Sequence, residues 1–259
     1  MALRFPSKPD IRLRRSPLNE VICQVRFPPI LKIASEPPAE FQDAVRERFP
    51  LFELEQGLTL RMPDSEKSEQ GMLEFSSKIY RFKTPEGKAN AGLSTDFFAI
   101  GASQYAHWND FKRDISLVRD ATQRAYHPSY ATRIGLRFIN RFTLENTGSS
   151  TKDELLGLFR PQMTCLVETN AWDEPQDLAM QMLLNDDSGK LSIRSLFSHE
   201  NGRPIFVLDF DYFEEGQLAF DSIIERLDRF HQRIYDAFRW SIDDESLERF
   251  EPLNEEGGK

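Results

Sequence analysis

The chain has little of what the commonest catalytic and membrane chemistries require. Among its 259 residues there are only two cysteines, Cys23 and Cys165, and four histidines. The cysteines lie far apart and form no CxxC or His/Cys cluster, so neither a disulfide framework nor a zinc site is encoded. His107, His127, His199 and His231 show no HxxE, HxH or HExxH spacing. No run approaches the roughly twenty apolar residues of a membrane-spanning helix. The first residues, Met1 to Pro9, contain no apolar stretch of the signal-peptide kind. Phosphate-cradling GxxxxGKS/T and GxGxxG loops are missing, as is a GxSxG elbow. These absences predict a soluble protein of the reducing cytosol, with no membrane segment and no cofactor, and point away from P-loop enzymes and serine hydrolases.

Positive charge is also in short supply. A formal net charge of −9 and a sequence pI near 5.1 disfavour a dedicated nucleic-acid binder, whose affinity depends on neutralising phosphates. The hydrophobic content of 39% is enough for a sizeable core in a chain of this length.

What is present is pattern. The stretch from Tyr130 to Phe142 alternates with the period of a half-buried strand. Ile134, Leu136, Phe138 and Phe142 point one way, with Asn140 the single polar residue among them; Arg133, Arg137 and Arg141 point the other. Glu20–Phe27 alternates likewise, placing Val21, Cys23, Val25 and Phe27 inward and Glu20, Gln24 and Arg26 outward, until Pro28-Pro29 ends the ladder. Pro37–Phe49 reads as a helix. Three strands follow, within Leu51–Met62, over Met72–Lys83 and over Ala91–Ile100, with an acidic loop at Asp64–Gln70 between the first two. Tyr105–Tyr126 carries a helical core stripe of Trp108, Phe111, Ile115 and Val118. In the second half, Thr151–Phe159 is a short capped helix and Leu178–Leu184, Leu191–Phe197 and Pro204–Phe213 are strands. Leu218–Trp240 is a long amphipathic helix, and a short helix near Asp243–Phe250 precedes a polar tail.

The elements therefore run strand, helix, three strands, long helix, twice over. Val25-Arg26-Phe27 matches Leu136-Arg137-Phe138, and Asp96-Phe97-Phe98 matches Asp211-Tyr212-Phe213. The expected architecture is an α+β fold of two similar halves, an antiparallel sheet with its long helices on one face. An extended arm (1–18) leads into a first repeat (19–127) and a second (128–241), closed by a short helix and tail (242–259). The element order resembles the TATA-binding-protein fold, a duplicated saddle, as a likeness of topology only.

The candidate site is the polar face of that sheet. Gln24 and Arg26 from one strand, Arg133, Arg137 and Arg141 from the next, and Arg194 from the later hairpin could meet there. Guanidinium groups fixed on a sheet suit bidentate capture of an anionic ligand or of a partner's carboxylates. The competing expectation is a structural ladder in which Glu20, Asp209 and Asp211 neutralise the arginines. Asp209 and Asp211 also share a strand face, as a metal-dependent enzyme would require, but no third ligand stands beside them. Phe97, Phe98, Tyr212 and Phe213 lie near predicted strand ends, where exposed aromatics would serve contacts to another protein or a second copy of the chain.

Four segments carry a family resemblance as a set: Ser16 to Pro28, Arg133 to Asn140, Phe206 to Asp211, and Leu227 to Phe238. Together they resemble a sporadically distributed bacterial family of chains of this length, for which no activity is assigned. The resemblance implies the scattered occurrence of mobile-element or defence-linked genes and a partner-dependent role. It supplies no catalytic residues. The expected function is a non-catalytic binding, sensor or assembly module, with a nucleic-acid or nucleotide binder and a metal-dependent enzyme as alternatives.

Overall fold

The computed structural model describes residues 3–60, 73–169, 171–173 and 175–253; the acidic stretch Asp64–Gln70 and the end of the polar tail lie outside them. The elements are β1 (Arg12–Leu13), β2 (Leu18–Arg26), α1 (Leu31–Ser35), α2 (Ala39–Val45), β3 (Leu51–Leu60), β4 (Leu73–Lys83), β5 (Ala89–Ser94), β6 (Phe97–Ala102) and α3 (Trp108–Tyr126). The chain continues with β7 (Ala131–Thr143), α4 (Leu144–Thr147), α5 (Lys152–Leu156), α6 (Pro161–Thr164), β8 (Leu178–Asn185), β9 (Lys190–Glu200), β10 (Arg203–Leu218), α7 (Ile223–Ser241), α8 (Asp244–Leu247) and β11 (Pro252–Leu253).

Nine strands form one antiparallel sheet in the order β3-β4-β5-β6-β2-β7-β10-β9-β8. The first strand of each half, β2 and β7, meet at the centre and pair through Gln24↔Gly135 and Cys23↔Leu136. Each then pairs with the last strand before its long helix, β6 on one side and β10 on the other, and the meander runs outward to the edges. The strand order is thus arranged about the β2–β7 seam. Two details differ from expectation. The first half contributes four strands after its helices, because Ala91–Ile100 is broken by the two-residue turn Thr95-Asp96, with Ser94 paired to Phe97. The register also shifts the motif match by one residue. Phe98 lies opposite Val25 and Tyr212 opposite Leu136, so Phe98 corresponds to Tyr212 while Asp96 sits in the turn.

The alternation of β2 and β7 buries Val21, Cys23, Val25, Ile134, Leu136, Phe138 and Phe142 against the helices. α2, α3, α5 and α7 all meet this face. Phe230 of α7 packs on Tyr212 with ring centroids 4.6 Å apart, and Phe142 meets Phe159 edge-on at 4.7 Å. Phe98 and Tyr212 are therefore core residues and offer no exposed contact. α3 starts where the His107 Nδ1 accepts a hydrogen bond from the Asn109 N–H (3.0 Å), and it stops at His127, whose left-handed φ of 48° is followed by Pro128. No helix among the described residues is long and apolar enough to cross a membrane.

The N-terminal arm is tied down along its length. Side-chain acceptors hold its backbone: the Leu3 N–H donates to the buried Asp186 Oδ1, the Lys8 N–H to the buried Asp236 Oδ1 (both 3.1 Å) and the Ile11 N–H to the half-buried Tyr235 Oη (3.0 Å). β1 then pairs antiparallel with β11, Arg12 opposite Leu253, which clips the two ends of the chain together.

Candidate functional site

Among the described residues the second face of the sheet carries no helix, and the strand pairings bring every predicted side chain onto it. Arg133, Arg137 and Arg141 follow one another at period two on β7; Gln24 and Arg26 lie alongside on β2; Arg194 stands opposite Asp209 on β9. Their partners decide what they can do. Arg137 grips Asp209 with both Nε (2.7 Å) and Nη2 (2.6 Å), a bidentate pair that also holds the guanidinium pKa above its ordinary value. Arg133 Nη2 donates to Asp211 Oδ2 (3.0 Å) while its guanidinium lies 4.6 Å from the centre of the Phe213 ring. Arg141 pairs with Glu200. The expected neutralisation is present at these three positions, although Arg141 takes its carboxylate from Glu200 and not from an aspartate of β10.

Two predicted cations stand apart. Arg26 is exposed; its Nε donates to Gln24 Oε1 at 3.3 Å, and it makes no ion pair among the described residues. Arg194 is also exposed, with no ion pair among them. A trough of about 470 Å³ follows the β2–β7 seam, lined by Ile22, Gln24, Arg26, Arg133, Gly135, Arg137, Asp211 and Glu215. Gly135 leaves room in its floor, and the Arg133 guanidinium lies across the space a Cβ would fill. Burial pushes the Asp211 carboxyl above its usual range, against the pull of Arg133 and Arg137 and with Asp209 adding to the rise. Apolar side chains are interspersed: Ile22, Ile139 and Val207 are half-buried and Leu196 is exposed.

The donor set does not suit a hard cation. Both oxygens of Asp209 are occupied by Arg137, and among the described residues there is no group of three His, Cys, Asp or Glu placed to hold a metal ion. Cys23 is fully buried on the helix side of β2, and burial raises its thiol pKa far above the usual value, so it is not a nucleophile.

A second site escaped the sequence. Behind β7, under the arm, lies a chamber of about 360 Å³ bounded by residues 10–18, the start of α3 and one side of α7. Phe138, Ile234, Phe238 and Leu18 supply its apolar wall; Asn140, Tyr105 and His231 supply its polar groups. The His231 ring stacks on Trp108, centroids 4.6 Å apart and planes within 9°. Trp108 is held in turn by Asp228 Oδ1, which accepts from its Nε1 at 2.6 Å and from Lys112 Nζ at 2.9 Å. Asn140 and His231 both fall on apolar faces, and a sequence alone reads such residues as tolerated core polarity.

No protein-family model matches the chain, and no curated protein matches it.

Proposed function

We propose that this protein is a non-catalytic binding module that receives a partner on the open face of its sheet, centred on the β2–β7 seam. The observation that carries this is Arg26, an exposed arginine on a sheet-borne trough whose neighbouring cations are already matched by carboxylates. Within this trough it is the charge left for an incoming acidic group. The scattered apolar side chains around it suit a protein surface, either another protein or a second copy of this chain, better than a phosphate backbone. The internally balanced arginines act as a rigid frame for that contact. A cytoplasmic setting and a partner-dependent role, as in the scattered bacterial family the chain resembles, fit this assignment.

The test is a single substitution on this face. Native protein is recovered from its own cells by affinity capture and its mass is measured by light scattering. Arg26→Glu is expected to abolish a stoichiometric partner or a dimer while leaving the melting temperature unchanged. Retention of the same assembly by Arg26→Glu overturns the proposal.

A further inference from the structure

We propose that the chamber beneath the N-terminal arm is a binding site for a small, uncharged, planar aromatic molecule bearing one ring O–H or N–H. Its volume of about 360 Å³ falls within the range of small-ligand pockets, roughly 300–1,000 Å³. Its walls combine a broad apolar lining with a few convergent polar groups, as such pockets do. The polar groups are unusually placed for structural residues. His231 is nearly buried, yet among the described residues its Nε2 has only a long contact to Tyr105 Oη (3.5 Å) and a longer one to Asp10 Oδ2 (3.9 Å). A buried imidazole normally secures a short hydrogen bond, because a missing one costs its desolvation. Here the nitrogen borders an open cavity, where a ligand can supply that bond.

Asn140 repeats the pattern. Its buried side chain donates to the Leu208 carbonyl at 3.4 Å, at the long end of hydrogen-bond range, and it lines the same cavity. The charged lining groups, Asp10, Arg12 and Arg14, all belong to the arm, with Arg14 loosely paired to Glu251 at 3.8 Å; the sheet, α3 and α7 line the cavity with no carboxylate, lysine or arginine. Burial lowers the imidazole pKa below its ordinary value, against the pull of Asp10 and Asp228. An ionised ligand core would thus meet no compensating charge from the sheet or the helices. The aromatic walls of Trp108, Tyr105, Phe138 and Phe238 select a flat ring over a branched aliphatic one.

Indole and 4-ethylphenol are the probes, with toluene as an apolar ring lacking the hydrogen-bonding group. In ¹⁵N-resolved NMR titrations of the full chain, the first two are expected to shift the Trp108 indole and the amides of Leu13, Tyr105 and Phe138, and to bind more tightly than toluene. His231→Phe preserves the stacked ring and removes its nitrogens; Asn140→Leu preserves bulk and removes the amide. Each is expected to weaken indole about tenfold, the effect of one lost hydrogen bond of about 1.4 kcal/mol. Arg26→Glu, on the opposite face, is expected to leave the affinity unchanged, so this result is independent of the fate of the open-face assembly. Absence of any localised shift at millimolar probe, or equal affinities in wild type, His231→Phe and Asn140→Leu, overturns the proposal.

Discussion

Arg137 and Arg26 lie on one sheet face and have opposite fates, which separates structural from available charge. Asp209 is nearly buried and Arg137 holds both its oxygens, so removing Arg137 strips a poorly solvated carboxylate of both these donors. Arg137→Ala is expected to lower stability by about 1–2 kcal/mol in urea unfolding; the Arg137 side chain is 36% exposed, which keeps the loss below that of a fully buried pair. Arg26→Ala should cost nothing measurable by the same assay. Gly189 marks a different residue-scale constraint: a Cβ there would stand 2.7 Å from the Phe213 carbonyl oxygen and 2.7 Å from the Tyr212 ring. Gly189→Ala should destabilise by about 1–3 kcal/mol, since backbone cannot yield as a flexible side chain does. His231 sets a pH dependence. Desolvation lowers its pKa from 6.5, helped by His107 and Lys112 and opposed by Asp10 and Asp228. Below pH 6.5 the unfolded chain therefore takes up a proton that the native state refuses. Its contribution is complete above that pH and is lost as pH falls toward the folded value. His231→Phe should flatten the decline of melting temperature between pH 7 and pH 5.

At the scale of elements, alternation and helical stripes carried most of the information. The greasy sides of β2 and β7 and the stripes of α3 and α7 are buried as their periods require. The β5–β6 turn was not legible because Thr95-Asp96 lacks the glycine or asparagine that marks a two-residue hairpin. The shifted match of the two Asp-aromatic-Phe triplets has the same origin, since one triplet begins in that turn and the other inside β10. The chamber was hidden for another reason. Asp10, Tyr105, Asn140 and His231 come from four separate parts of the chain, and only the arm's path brings them together. That path depends on side-chain acceptors in place of a continuous ladder. Asp236→Ala removes the acceptor for the Lys8 N–H, and amide exchange from Lys8 to Leu13 is expected to accelerate while the middle of α7 keeps its protection.

For the whole molecule, the seam matters more than the halves. β2 and β7 are hydrogen-bonded along most of their lengths, and a single apolar cluster extends from Phe41 to Phe250 beneath them. Neither half has a separate core to retain when the other opens. Urea unfolding followed by tryptophan fluorescence and by far-ultraviolet circular dichroism should give coincident single transitions; two separated midpoints would assign the halves independent stability. The pairing of residues 12–13 with 252–253 has a mechanical corollary. A pull applied across the two ends loads an antiparallel pair from its open end, so its hydrogen bonds give way singly and not together in shear. The arm would peel away from the chamber it covers at low tension, long before the nine-stranded sheet felt the load.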